Sequence, residues 1–492
     1  MAIQKKIDPT AGTPHEAVIG LEVHVQLKTK SKMFCGCENR FGAGPNSLTC
    51  PVCLGQPGSL PAINRAAVES TVRVGLACGS EIARFTKFDR KNYYYPDLPK
   101  NYQISQYDLP LCKGGAIQVY VGEEKSVVGL TRIHLEEDAG KNIHAEGRPE
   151  TWVDLNRAGV PLLEIVSQPD LRAPEEAGAY LKMLRLIMLY LGVSDCNMEE
   201  GSLRCDCNVS IRPKGSSRLE TRTEIKNLNS FTNVENALTH EIRRQMKLKD
   251  SGGEVIQQTL LFDPIRGETR VLRGKEEAHD YRYFPEPDLA PLFLDGSWIE
   301  GLRVSLPELP MARLERFQKS FGLSRYHAEV LVRDMDMANF FEECVKTYSK
   351  PQEVANWVIN VVGEEVNARH VSVGEIGITP GRLVDLVKAI EGGKVSKQKA
   401  KDVFKAMLGN ERGVVDVIQA LGLGQISDDS FLREAVKEVL EAHPEAAEDV
   451  RNGKKNSFNF LMGQVMKRTK GKANPGMVNK MLEEVLGRGT TG

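Results

Sequence analysis

Between Val18 and Lys28 apolar and polar residues alternate. Ile19, Leu21, Val23, Val25 and Leu27 are separated by Gly20, Glu22, His24 and Gln26. A period of two predicts a β-strand with Glu22, His24 and Gln26 on one face and aliphatic side chains on the other. Leu203 to Arg212 repeats the pattern, with Leu203, Cys205, Cys207, Val209 and Ile211 opposite Arg204, Asp206, Asn208, Ser210 and Arg212. Gly129 to Asp138 and Pro161 to Val166 also read as strands, carrying His134, Glu136, Glu137 and Glu164. Thr221 to Asn227 reads as a further strand, carrying Glu224 and Lys226.

Helical spacing appears between these strands. From Pro174 to Leu191, apolar Leu181, Leu184, Met188 and Leu191 recur at three and four. Pro174 suits the first helical position, Glu175 and Glu176 the first turn, and Gly192 the stop. A second helix is expected over Val234 to Lys249, ending at Gly252-Gly253. Beyond residue 295 nearly everything reads at helical spacing, after the Pro-rich connector Phe284 to Pro291. The expected fold class is therefore α+β in the first half and all-α in the second. The expected domains are 1–294, 295–408 and 409–492, with a hinge expected at Gly422-Leu-Gly424. No internal repeat or low-complexity tract interrupts this organisation.

Composition narrows the class. The 492 residues hold 65 Lys+Arg and 66 Asp+Glu, a net charge of −1, with 41% hydrophobic residues. This excludes collagen, a disordered tail protein and a uniformly basic nucleic-acid coat. No stretch reaches the ~18 uncharged apolar residues of a membrane span. Met1 to Gly12 has no apolar core after Lys5 and Lys6, so no secretory signal is expected. Ten cysteines in so long a chain do not make a disulfide framework, and a cytoplasmic protein with reduced thiols fits.

Four of those cysteines are clustered: Cys35-x-Cys37, then Cys50-Pro-Val-Cys53 after twelve residues. Two close thiol pairs across a short loop match the corners of a tetrahedral zinc ion. With four sulfur ligands such a zinc would be structural. The alternative is a set of buried free thiols. Cys205 and Cys207 fall on an apolar strand face and read as core.

The carboxylates form a second group. Glu22 and His24 share a strand face, Glu136, Glu137 and Asp138 run together, and Glu164 lies inside Pro-Leu-Leu-Glu-Ile-Val. Glu199, Glu200 and Asp206 follow. Carboxylates converging with one imidazole make a site suited to Mg²⁺ beside a nucleotide phosphate. A solvated strand face explains Glu136 or Glu199 taken singly. It does not explain Glu164, because an acid among aliphatics costs several kcal/mol unless paired or metal-bound.

Two loops, Lys87 to Pro96 and Asp280 to Pro285, mix cations with tyrosines, among them Tyr93, Tyr94 and Tyr95. Such residues can hold phosphates, stack on bases or line a channel. At the C-terminal end, Arg451 to Gly492 has nine Lys or Arg against two Glu, a net of +7, and Gln425 to Val450 nets −6. Lys467, Arg468, Lys470 and Lys472 could track an RNA backbone, or simply suit the C-terminal end of a helix. There is no phosphate loop of the G-x-x-x-x-G-K-[ST] type, no G-x-G-x-x-G after a strand and no G-x-S-x-G elbow. Lys394-Val-Ser-Lys397 lacks a companion His-x-Gly-His, so a class I synthetase site is discounted.

Taken together these residues resemble the B-subunit family of the tRNA-dependent amidotransferases. The resemblance runs nearly end to end. It rests on Val18–Leu27, Phe88–Asp97, His134–Lys141, Asp154–Asp170, Met198–Asp206, Glu224–Ser230, Asp280–Pro287 and Gly471–Pro475. It implies a β-rich cradle with an active site related to that of glutamine synthetase, then a helical domain and a YqeY-like tail that grips tRNA. It implies that ATP phosphorylates the side-chain carboxylate of Glu or Asp misacylated on tRNA-Gln or tRNA-Asn, and that ammonia then displaces the phosphate. A separate amidase-type glutaminase, the A subunit, would supply that ammonia through a channel, and a small C subunit would brace the complex. His24, Glu137 and Glu164 match the family's magnesium site, with Glu22 and Glu136 close by. Arg204, Asp206 and Lys226 are candidates for holding the phosphates or the acyl carboxylate. Tyr93, Tyr94 and Tyr95 fall where a channel wall would be useful. Only some members carry the four-cysteine zinc, and this sequence keeps all four ligands.

The chain shows no amidase-type Gly/Ser-rich signature, so it is not expected to make ammonia itself. The competing expectations are a non-catalytic, zinc-stabilised tRNA-binding scaffold and a free-standing ligase acting on a small acid with free ammonia.

Overall fold

The computed structural model describes residues 9–144, 147, 149–274, 280–424, 429–469 and 473–487. The chain divides into two compact units, Met1–Ala312 and Arg313–Gly492.

The first unit is built on a ten-stranded sheet. Its principal strands are β1 (His15–Gln26), β2 (Glu124–Glu137), β3 (Pro161–Ser167), β4 (Leu203–Pro213), β5 (Thr223–Leu228), β6 (Gln258–Asp263) and β7 (Glu268–Gly274). Their order across the sheet is β7-β6-β5-β4-β1-β3-β2. All neighbours are antiparallel except β5 and β6. β1 begins three residues before the expected strand because His15 to Ala17 pair with Ile211 to Pro213. β2 is longer than expected because its first half forms a hairpin with Ala116–Val121.

The alternation has the expected consequence. Leu21, Val23, Val25, Leu163, Ile165, Cys205, Cys207 and Val209 are all at most 2% exposed and form one core. Helices α1 (Arg65–Ala77), α2 (Pro174–Leu191) and α3 (Phe231–Asp250) contribute Val72, Leu181, Leu184 and Leu238 to it. Each fully buried Leu or Val stabilises the fold by about 1.5–3 kcal/mol. α2 has the expected bounds. Glu176 Oε2 accepts from the Arg172 and Ala173 N–H groups, and Gly192 closes the helix with φ +67°. α3 starts earlier than expected because Ser230 Oγ accepts from the Asn233 N–H.

A boundary near residue 294 is not where the first unit ends. Asp295 caps α4 (Gly296–Val304), and Ile299 and Leu302 of that helix join the sheet's core. Every named element of the second unit, among the described residues, is a helix. Phe317, Phe321 and Phe341 pack edge to face or tilted, with centroids 5.2–5.6 Å apart. The helix Val414–Ala420, expected in the tail, packs on Pro380–Glu391 and Lys397–Met407. The last four helices, from Asp429–Ala442 to Pro475–Leu486, share a core of their own that includes Leu432, Val436, Leu461, Val465 and Leu482. No helix among the described residues is long and apolar enough to cross a membrane.

Candidate active site

The other face of the sheet is polar, and strand register sets its layout. His24 on β1 stands opposite Glu164 on β3 and Arg204 on β4. Glu164 in turn stands opposite His134 on β2, and Glu22 opposite Asp206. Glu136 lies two residues along β2 from His134, on the same face.

These residues converge. His24 Nε2 is 3.3 Å from Glu164 Oε2, and His134 Nε2 is 3.5 Å from Glu136 Oε2 and 3.8 Å from Glu164 Oε2. Arg132 Nη2 is 3.4 Å from Glu164 Oε1, and Ser105 Oγ donates to Glu136 Oε2 at 2.9 Å. One ligand atom from each of His24, Glu136 and Glu164 lies within 4.8 Å of the other two. Burial alone would push the carboxyl of Glu164 up, but His134, His24 and Lys91 outweigh it and hold the group well below the carboxylate range. Glu136 is held low in the same way, by His134 and Lys91 against burial. Burial disfavours charge on His24, yet its contact with Glu164 raises it overall. Two carboxylates kept ionised beside one imidazole make a donor set that fits a hard divalent cation.

Glu137 is not part of this set, although the resemblance implied it. Successive residues of a strand point to opposite faces, so Glu137 turns away from Glu136. It pairs with Lys100 Nζ and accepts from the Ile104 N–H at 3.0 Å. There it lines a small cavity with Cys35, Cys53, Lys100, Tyr102 and Asp288.

Glu22, Asp206 and Lys226 form an adjoining group. Asn208 Nδ2 donates to Glu22 Oε1 at 2.8 Å, and Lys226 Nζ bridges Asp206 and Glu224. Burial, then the neighbouring Glu164, raises the carboxyl of Glu22. Arg204 reaches across to Asp138, with Nη2 2.9 Å from Oδ2. Glu199 and Glu200 are exposed at a turn and take no part.

Sequence spacing missed Arg132, and it gave His134 only as a strand residue and Lys91 only as part of the Lys87–Pro96 loop. Arg132 and His134 have the right strand period, but which acids they would meet depends on register with β3. Lys91 comes from the short strand Asp89–Asn92, outside the main sheet. Its Nζ is 4.9 Å from the centre of the Tyr281 ring and 5.8 Å from that of Tyr93. Burial opposes its charge, but Glu136 and Glu164 raise its affinity for a proton overall. Of the three tyrosines, Tyr93 packs edge-on to Tyr281 and so reaches this region, whereas Tyr94 and Tyr95 are exposed.

The sulfur atoms of Cys35, Cys37, Cys50 and Cys53 lie within 4.8 Å of one another, so this cluster could hold a metal such as zinc. Cys53 Sγ accepts from the Cys50 N–H at 3.1 Å, and the wholly buried Lys32 places Nζ 3.7 Å from the same sulfur. Cys205 and Cys207 face the core, as their strand position predicts. Lys467 and Arg468 are exposed at the end of Lys455–Arg468, with Arg468 Nε 2.9 Å from Glu438. Lys470 and Lys472 lie outside the described residues.

Residues 17–300 match the family model of the GatB/GatE catalytic domain, and residues 339–486 match that of the GatB domain. The chain is 53% identical over 474 residues to the B subunit of the aspartyl/glutamyl-tRNA(Asn/Gln) amidotransferase of Moorella thermoacetica, covering 96% of this chain and 100% of the relative. The chain belongs to this B-subunit family. The corresponding subunit from Thermodesulfovibrio yellowstonii is 51% identical over 472 residues, and that from Carboxydothermus hydrogenoformans 50% over 477. Each comparison covers 96% of this chain and 99% of the relative. As a member of the family the chain is a component of a ligase-type amidotransferase. The catalytic-domain match spans every residue of the polar sheet face described above.

Proposed function

We propose that this protein uses ATP to activate the side-chain carboxylate of Glu or Asp carried on a misacylated tRNA, and then completes amide formation with ammonia. A carboxylate oxygen takes the γ-phosphoryl group and ADP leaves. Ammonia then attacks the acyl carbon, phosphate departs, and a proton is released from nitrogen. The observation that carries the reading is the convergence of His24, Glu136 and Glu164 on one polar sheet face ringed by Lys91, Arg132 and Arg204. His24, Glu136 and Glu164 would hold a divalent cation, which would neutralise phosphoryl charge when bound. Lys91, Arg204 and Lys226 would orient the phosphates and the acyl carboxylate by direct charge contact. Glu22, raised toward neutrality by burial and its acidic neighbours, stands at the edge of that group.

On this reading the first unit is the cradle, and the last four helices are the YqeY-like tail. The tail would carry tRNA through Lys467, Arg468, Lys470 and Lys472. Ammonia would arrive from an amidase-type glutaminase partner, and a small third partner would brace the complex. Zinc on Cys35, Cys37, Cys50 and Cys53 would be structural, and the protein would act in the cytoplasm.

The test is a reconstituted complex with glutamine, ATP, Mg²⁺ and each misacylated tRNA. The wild type should form Gln-tRNA or Asn-tRNA only with ATP, while Glu164→Gln and Glu136→Gln should retain tRNA binding and lose amidation. Full amidation by both variants would overturn the reading in favour of a scaffold.

A further inference from the structure

Asp138 lies just past the end of β2 and is only 4% exposed, so it cannot touch a substrate. Its backbone is fixed on both sides. The Asp138 N–H donates to Val160 O at 2.8 Å, and the Asp138 carbonyl accepts from the Gly159 N–H at 2.9 Å. One carboxylate oxygen, Oδ1, accepts from the Ala139 N–H at 2.9 Å. The other, Oδ2, accepts from Gln26 Nε2 at 2.7 Å and from Arg204 Nη2 at 2.9 Å. Arg157 Nε is 3.7 Å away, but that guanidinium already donates to the carbonyls of Ala139 and Gly140.

Arg204 differs from its anchor. Its side chain is 35% exposed, so part of the guanidinium reaches the open polar face. Strand register sets it across from His24, in the same row as Glu164. A guanidinium has five N–H groups in a rigid fork. Here Asp138 engages one edge, while Nε is shielded from solvent and has no acceptor. An oxyanion arriving on the polar face would therefore meet the exposed remainder of the fork, beyond the edge that Asp138 holds.

We propose that Asp138 is the positioning residue that sets Arg204 to grip the oxyanion that reacts on this face. The ligand class is a carboxylate or phosphoryl oxygen, supplied either by the acyl side chain on tRNA or by ATP. The proposal rests on the carboxylate-activation reading above. Asp138 holds one edge of the fork by a charge-assisted hydrogen bond, and Gln26 on the same oxygen prevents Asp138 from swinging with it. The remaining edge is then aimed before substrate arrives, as efficient electrostatic stabilisation requires.

The experiment uses the reconstituted complex with ammonium chloride as nitrogen donor, so that glutamine hydrolysis does not enter. Wild type, Asp138→Asn, Arg204→Gln and the double variant are compared in kcat and in KM for ATP and for the misacylated tRNA. Asp138→Asn should lower kcat/KM by about tenfold or more, the worth of one charge-assisted hydrogen bond. The double variant should be no worse than Arg204→Gln alone. A change confined to the KM for ATP assigns the phosphoryl group, and one confined to the KM for tRNA assigns the acyl carboxylate. Wild-type kinetics in Asp138→Asn, or losses that multiply in the double variant, overturn the proposal. Should Asp138→Asn fail to fold, Asp138→Leu/Arg204→Met, which leaves no unpaired charge, is compared with Arg204→Met. Equal rates support the proposal and a lower rate in the double variant overturns it. A wild type that makes no amide under any condition fails the underlying reading itself, a result distinct from an active wild type matched by Asp138→Asn.

Discussion

His24 and Glu164 face each other directly across the antiparallel pairing of β1 and β3, with Nε2 3.3 Å from Oε2. Glu164 is also the acid that His134 and Arg132 approach, so one carboxylate anchors three cationic or imidazole partners. Glu164→Gln should therefore reduce Mn²⁺ binding, read by electron paramagnetic resonance. It should lower amidation by more than the ~10–100-fold typical of a partner one step removed from a metal. Unchanged Mn²⁺ affinity would contradict the assignment of this carboxylate as a ligand.

Neighbouring acids on β2 should behave differently. Glu136→Gln is expected to weaken Mn²⁺ binding, because Glu136 shares the site with His24 and Glu164. Glu137→Gln should leave it intact, since Glu137 is occupied by Lys100 and the Ile104 N–H. Equal losses from both variants would mean that strand parity does not govern the site.

The four-cysteine cluster should hold a metal independently of the acidic site. The purified chain should contain zinc by elemental analysis, and Cys53→Ser should release it. Zinc release is expected to lower the melting temperature, because metal-binding free energy at such a site is folding free energy. A metal-free chain that melts at the same temperature would speak for plain buried thiols.

Arg90 and Glu286 join the short strand that carries Lys91 to the segment after residue 280. The pair is bidentate, with Nε to Oε2 at 2.7 Å and Nη2 to Oε1 at 2.8 Å, and Glu286 is 3% exposed. Breaking a buried pair typically costs about 3–5 kcal/mol, and Arg90 is partly exposed, so Glu286→Ala should cost about 3 kcal/mol. Chemical denaturation measures this. A loss below about 0.5 kcal/mol, the scale of an ordinary surface substitution, would contradict it.

In the tail, Lys467→Glu should weaken tRNA binding and reduce its salt dependence. Arg468→Glu should have the smaller effect, because Arg468 already pairs with Glu438. Filter binding across a salt series separates the two, and identical slopes for wild type and Lys467→Glu would remove Lys467 from the interface.

Local pattern determined a good deal. The alternation at Ile19 to Leu27 and at Leu203 to Ile211 correctly divided each strand into an aliphatic core face and a polar face, because side-chain direction on a strand depends only on parity. Pro174, Glu176 and Gly192 marked both ends of α2, since capping chemistry is confined to a few adjacent residues. The spacing of the four cysteines pointed to the cluster that the structure shows, because two close thiol pairs across a turn-rich loop can fill the corners of one tetrahedral site.

What joins one strand to the next was decided by the tertiary structure. Parity put Glu136 and Glu137 on opposite faces, but only the registers of β2 against β3 and of β3 against β1 showed which of them meets His24. Lys91, Asp138 and Arg204 come from separate elements, and nothing in their own neighbourhoods indicates that they surround one site. The end of the first unit likewise depended on α4 packing into the sheet's core rather than on the Pro-rich segment before it. Periodicity is a property of a few consecutive residues. Register and docking are settled by the burial of whole faces against one another, and that energy is shared among residues far apart in the chain.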